Sequence, residues 1–259
     1  MDIFIKESAE GVAKLAADIL GNYATRGAVL GLATGSTPLP TYRELICRFQ
    51  AKELSFKDCS SFLLDEYIGL PPEHEQSYHR FIRDNFTHHI DIDDAAVHSP
   101  NGMADDVHAE AARYDAAITA AGGVDCQLVG VGANGHIGFN EPATSLQSLT
   151  RVETLHPKTI ADNARFFDGD ESQVPVHVLT QGLGTISRAK HVLLLATGAH
   201  KAQAVKALVE GPVSAFCPAS VLQLHNHATV IVDEEAAQLL EYSEYYRFAA
   251  SHLDDFAAQ

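Results

Sequence analysis

Short, unbroken apolar runs recur along the chain at residues 28–33, 61–64, 127–131, 191–196 and 229–232. Runs of this length without polar alternation read as β-strands covered on both faces. Between them lie stretches with helical patterning, at residues 38–52, 77–86, 104–121 and 200–210. Nearer the start, Val12, Leu15, Ala16, Ile19 and Tyr23 recur at i, i+3, i+4, i+7 and i+11, the stripe of an amphipathic helix. Strands alternating with helices predict an α/β fold built on an open, mostly parallel sheet with helices on both faces. No internal repeat, low-complexity tract or Pro/Gly/Ser linker interrupts the pattern, so residues 1–259 are expected to form one domain.

The polar motifs fall directly after these runs. Thr34-Gly35-Ser36-Thr37 follows the first, Asp65-Glu66-Tyr67 the second, Gly132-Ala133-Asn134-Gly135-His136 the third and Thr197-Gly198-Ala199-His200-Lys201 the fourth. In open parallel sheets, ligands bind beyond the carboxyl ends of the strands, so these four loops are expected to converge on one composite site.

Composition narrows the class of partner. Lys+Arg 18 against Asp+Glu 34 gives a net charge of −16, which argues against nucleic acid and anionic membrane surfaces as partners. No apolar run approaches the roughly 20 residues that a membrane span needs, and the start lacks a basic segment followed by an apolar core. Cys47, Cys59, Cys126 and Cys217 form no C-x-x-C and read as free thiols of a cytoplasmic protein. The 14 histidines include no H-E-x-x-H, so His88, His89, His225 and His227 are expected in surface or loop positions rather than as metal ligands. Oligomeric state is left open, a homo-oligomer included.

Each motif has a chemical reading and a plainer one. Gly35, Ser36 and Thr37, at the start of a helix, offer backbone N–H groups and hydroxyls to an anion, or Ser36 or Thr37 simply caps the helix. The terminal Gly-Lys-Ser/Thr of a nucleotide-binding P-loop is absent. Gly130-Val131-Gly132-Ala133-Asn134-Gly135 matches the dinucleotide G-x-G-x-x-G, but Gly138 and Pro142 make the required helix improbable, and that reading is rejected. Instead the loop offers His136, able to exchange protons near neutral pH, with Asn134 and Glu141 close in sequence to fix its tautomer. Asp65 is either a strand-end cap or, in a desolvated cleft, a base for a carbon-bound proton. Arg165 and Lys201 either pair with surface carboxylates or close on a phosphate held by residues 35–37.

Taken together these segments resemble the glucosamine-6-phosphate deaminase family. The resemblance rests on Gly31-Leu32-Ala33-Thr34-Gly35-Ser36-Thr37-Pro38, Leu64-Asp65-Glu66-Tyr67-Ile68-Gly69-Leu70, Ser77-Tyr78, residues 130–142, Ala164-Arg165-Phe166-Phe167, Val174-Pro175, residues 179–186 and 198–201, and Ser220-Val221-Leu222-Gln223-Leu224-His225. It implies a Rossmann-like fold and conversion of glucosamine 6-phosphate and water to fructose 6-phosphate and ammonia, without redox cofactor or metal. It also implies that Asp65 moves the C2 proton and that His136, with Glu141 and Asn134 oriented around it, serves ring opening. Gly35, Ser36, Thr37, Arg165 and Lys201 would hold the sugar phosphate. Some members carry Asp where this chain has Asn134, which can orient His136 through its carbonyl but adds no charge. Allosteric members of the family are hexamers activated by N-acetylglucosamine 6-phosphate through an arginine and, two residues on, a lysine. The matching positions here are Arg151 and Glu153, which implies loss of that activation. Two alternatives remain beside the resemblance. A 6-phosphogluconolactonase would need no C2 base. A non-catalytic sugar-phosphate sensor would need a DNA-binding module, for which the stretch of about 27 residues before the first expected strand is too short.

Overall fold

The computed structural model describes residues 1–253, so the end of the expected domain, residues 254–259, lies outside the described residues. The strands are β1 (Asp2–Lys6), β2 (Val29–Leu32), β3 (Ser60–Leu63), β4 (Asp65–Tyr67), β5 (Val97–His98), β6 (Cys126–Gly130), β7 (Arg151–Thr154), β8 (His177–Thr180), β9 (His191–Ala196) and β10 (Ala228–Asp233). The helices are α1 (Ala9–Ala24), α2 (Leu39–Gln50), α3 (Tyr78–Asn85), α4 (Val107–Ala120), α5 (Pro157–Asn163), α6 (Leu183–Ile186), α7 (Ala202–Val209), α8 (Glu234–Ala237) and α9 (Ser243–Ser251).

Seven strands form one parallel sheet in the order β1-β10-β9-β6-β2-β3-β5. From β2 the chain winds outward through β3 and β5, then returns to β6 and winds the other way through β9 and β10. The winding reverses between β2 and β6, so the loops after these two strands diverge and leave a crevice. The expected Rossmann-like α/β architecture is therefore present. Its core is aliphatic, with β9 and β10 buried along their whole length.

Three expectations need correction. The first strand is β1, not the run at residues 28–33; its sequence Asp-Ile-Phe-Ile-Lys has one fully buried side chain, Ile3, because it lies at the sheet edge. Helix α1 forms, but its buried face carries Val12, Ala13, Ala16, Ala17 and Leu20, while Leu15, Ile19 and Tyr23 are half-buried. The small alanines let the helix approach the sheet closely, and the larger residues close its margin. Finally, the chain leaves the main sheet at Leu64 and builds a second, antiparallel sheet, β4-β8-β7. That sheet carries its own apolar cluster of Tyr67, Phe139, Leu155, Ala164, Phe167, Val174 and Val178.

All four cysteines are free thiols. Among the described residues no helix is long and apolar enough to cross a membrane.

Candidate active site

The four strand-end loops do converge. They line a cleft of about 430 Å³ whose walls include Gly35, Ser36, Thr37, Asp65, His136, Arg165 and Lys201. Asn134 and Glu141 stand behind His136 rather than on the wall. A smaller cavity of about 320 Å³ lies against His79, His98 and Arg113 and meets these loops only at Glu66.

Asp65 sits where the two sheets meet. One residue, Leu64, separates it from β3, and as the first residue of β4 it pairs with Thr180 of β8. Its side chain is buried, and no hydrogen bond to its carboxylate is present among the described residues. Burial, with the charge of Glu66 beside it, pushes its pKa up to about 8. Glu66 points to the other face of the strand and is used differently. Its oxygens accept from the backbone N–H groups of Tyr67 (2.9 Å), Tyr78 (3.0 Å) and His79 (2.8 Å) and from the Ser77 hydroxyl (2.9 Å). Glu66 therefore ties β4 to the N-terminus of α3, where free N–H groups favour a carboxylate. Burial raises its pKa, and these four donors counter that rise.

His136 lies in an irregular loop after β6, so the helix that a dinucleotide fingerprint requires does not follow this strand, as expected from Gly138 and Pro142. Gly132 makes room for the ring: a Cβ there would meet the imidazole at 2.2 Å. The His136 Nδ1 is 3.7 Å from Glu141 Oε2, outside hydrogen-bond range, and it has no other partner among the described residues. The expected role of the Asn134 carbonyl is corrected here. It accepts from the His136 backbone N–H at 3.2 Å, not from the ring, while the Asn134 amide donates to Glu141 Oε2 at 2.7 Å. Burial pushes the Glu141 pKa up, but the His136 ring, the Thr159 hydroxyl and the Asn134 amide outweigh it and hold it down to about 2.

Another part of the same lining suits an anion. Pro38 occupies the position before α2 and no side chain caps that helix, so Ser36 and Thr37 are not consumed as caps. Gly35, at φ +92°, has nothing within 4 Å of where a Cβ would lie. Neither Arg165 nor Lys201 makes a salt bridge among the described residues; the Arg165 guanidinium lies 4.6 Å from the centre of the Phe166 ring. Burial lowers the Lys201 pKa, and the nearby Arg165 charge lowers it further. The Asp162 charge opposes both effects without forming a salt bridge among the described residues, and two cations so placed still favour a phosphate.

Sequence reasoning missed Thr159 and Asn163. They are four residues apart on α5, hence on one helix face, and both line the cleft. The Thr159 hydroxyl donates to Glu141 Oε1 at 2.5 Å, and the Asn163 amide donates to the Tyr67 hydroxyl at 2.9 Å. Helical spacing at Ile160 and Ala164 was the available signal, since these residues seat the segment on the smaller apolar cluster.

Arg151 and Glu153, alternate residues of β7, do not face away from each other. The guanidinium donates to Glu153, to Asn140 Oδ1 at 2.9 Å and to Thr144 Oγ1 at 3.2 Å.

An anion seat in the same crevice as a raised carboxyl and a carboxylate-backed imidazole defines an α/β enzyme that handles a small phosphorylated substrate by proton transfer. The chain belongs to the family of glucosamine-6-phosphate isomerases and 6-phosphogluconolactonases, whose pattern matches residues 2–231. It is 63% identical over 256 residues to the glucosamine-6-phosphate deaminase of Corynebacterium kroppenstedtii, covering 99% of each chain. It is 55% identical over 253 residues to that of Rhodococcus jostii, covering 97% of each. Among solved structures, a monomeric glucosamine-6-phosphate deaminase superposes with a TM-score of 0.90 at 45% identity, over 92% of this chain and 100% of that one. A 6-phosphogluconolactonase from Trypanosoma cruzi shares the fold at a TM-score of 0.72 and 20% identity, over 93% of this chain and 97% of that one.

Proposed function

We propose that the protein converts glucosamine 6-phosphate and water to fructose 6-phosphate and ammonia, an isomerising deamination in amino-sugar catabolism. The observation that carries this reading is Asp65, a buried carboxyl raised to about 8 that lines a cleft large enough for a sugar phosphate. A base poised near neutral pH suits removal of a carbon-bound proton. Hydrolysis of a lactone breaks no carbon–hydrogen bond and would leave that group without a task. A cytoplasmic location suits the free thiols and a phosphorylated substrate that does not cross membranes.

Ring opening comes first, because the C2 hydrogen is acidic only beside a free aldehyde. His136, backed by Glu141, moves a proton from the C1 hydroxyl to the ring oxygen. Asp65 then takes the C2 proton, giving an enolamine. Return of a proton to C1 gives a C2 imine, and water hydrolyses it to the ketone and ammonia. With its pKa near 8, Asp65 is largely protonated in the empty neutral protein. The C2 ammonium of an arriving substrate favours the carboxylate, so the base forms as substrate binds. Gly35, Ser36, Thr37, Arg165 and Lys201 hold the phosphate, and that remote binding energy orients the reacting carbons.

Purified protein supplied with glucosamine 6-phosphate alone is expected to release fructose 6-phosphate and ammonia in equal amounts; absence of both products overturns the reading. In Asp65→Asn the turnover should fall by about 10²–10⁴-fold or more, as for loss of a general base. Near-wild-type exchange of the C2 hydrogen with solvent deuterium in that variant would exclude the role.

Arg165→Ala and Lys201→Ala should each weaken binding through the phosphate, by about 1.5–3 kcal/mol for a charge-assisted hydrogen bond. Both variants should then discriminate less between glucosamine 6-phosphate and glucosamine. An unchanged preference in both would put the phosphate elsewhere.

Regulation by N-acetylglucosamine 6-phosphate is not expected. The Arg151 guanidinium is engaged by Glu153, Asn140 and Thr144, and Glu153 adds a negative charge where a phosphate would sit. An effector shifts an equilibrium only through differential affinity for two states. Saturation curves should be hyperbolic with and without the effector. A sigmoidal curve made hyperbolic by it would refute this.

A further inference from the structure

The carboxylate of Glu141 is held from two directions. Asn134, in the same loop as His136, donates to Oε2 at 2.7 Å, and Thr159, from α5, donates to Oε1 at 2.5 Å. Both Thr159 and Glu141 are only 8% exposed, so the bond between them is buried, whereas the Asn134 bond comes from an exposed side chain. A helical threonine commonly turns its hydroxyl onto the carbonyl four residues back. Thr159 instead reaches a side chain 18 residues away in sequence. With both oxygens occupied, the carboxylate is fixed at 3.7 Å from His136 Nδ1, which has no other partner among the described residues.

We infer that Thr159 is a positioning residue, acting through Glu141 on His136, and that it links ring opening to the element that leads into the phosphate-binding Arg165. This rests on the deaminase reading. The seven residues of α5 carry Thr159 towards Glu141 and Asn163 towards Tyr67, two residues beyond Asp65, and run directly into the turn that bears Arg165. Among the described residues, Thr159 is the only hold on the Glu141 carboxylate from outside the His136 loop. A carboxylate freed on one side can rotate, and a displacement of about 1 Å at a catalytic group costs up to about 10²-fold in rate. The Thr159 hydroxyl is committed to Glu141, so its loss should appear in turnover more than in substrate binding.

The test compares wild type, Thr159→Val, Thr159→Ala and Thr159→Ser by steady-state kinetics with glucosamine 6-phosphate. Valine nearly matches threonine in shape, alanine serves if valine disturbs the packing, and serine keeps the hydroxyl. The valine and alanine variants should lose about tenfold or more in kcat while KM stays within about twofold, as expected for one lost hydrogen bond to a charged group. Serine should restore kcat to within about threefold of wild type. Valine and alanine variants with kcat within twofold of wild type overturn the inference. So does a serine variant as slow as valine, or a loss carried by KM alone. If wild type itself yields no fructose 6-phosphate, the deaminase reading has failed, which is distinguishable because it precedes any comparison of variants.

Discussion

A carboxyl group held out of water at the junction of two sheets is the constraint on which the rest of this site depends. An ionised carboxylate is costly to bury without a partner, and it responds by holding its proton more tightly. Asp65 is in that position: it leaves the parallel sheet at its carboxyl edge and starts the antiparallel one, so backbone pairing with Thr180 fixes it there regardless of the fate of its side chain. The neighbouring Glu66 is kept from competing for the same space by four donors on the other face of the strand. Tyr67, Tyr78 and Phe139 pack against one another beside it, with ring centres 5.0–6.1 Å apart, and keep that side of the cleft apolar.

Asp65 and Glu141 show how one cleft produces opposite chemistry from the same functional group. Asp65 has burial and a like charge, and its pKa rises to about 8; Glu141 has burial too, but three polar neighbours hold it down to about 2. The first can accept and return a proton near neutral pH, and the second remains an anion that can steady a proton on His136. Environments that push two carboxyl groups apart in this way mark the division of acid–base roles. Gly35, Ser36, Thr37, Arg165 and Lys201 line the same cleft, so a substrate anchored by them would have its reacting carbons within that cleft.

The parallel sheet was legible because β2, β3, β6, β9 and β10 are short apolar runs covered on both faces. The second sheet was not. β7 is half-exposed and polar, Arg-Val-Glu-Thr, and β4 is three residues long, so neither shows a hydrophobic period; their pairing with β8 joins segments far apart in sequence. At the site, Gly35, Ser36, Thr37, Asp65, His136 and Lys201 were identifiable because each belongs to a motif after an apolar run, while Arg165, which follows α5, was legible only through the family resemblance of Ala164-Arg165-Phe166-Phe167. The directions of the Asn134 amide and the Glu153 carboxylate were not, since a sequence does not specify which of several partners a rotatable polar group will choose. Thr159 carried no motif at all. Its meaning comes from the seating of α5 on the smaller apolar cluster, a tertiary event.

The most direct test of the central claim is the titration of Asp65 itself, followed through its carboxyl carbon by NMR in aspartate-labelled protein, with Asp65→Asn to assign the signal. A carboxyl raised by burial stays protonated as pH rises through the ordinary range and ionises only near its own pKa. The account predicts a midpoint near pH 8 in the substrate-free protein. A midpoint near about 4, the value of an ordinary solvated aspartate, would contradict it.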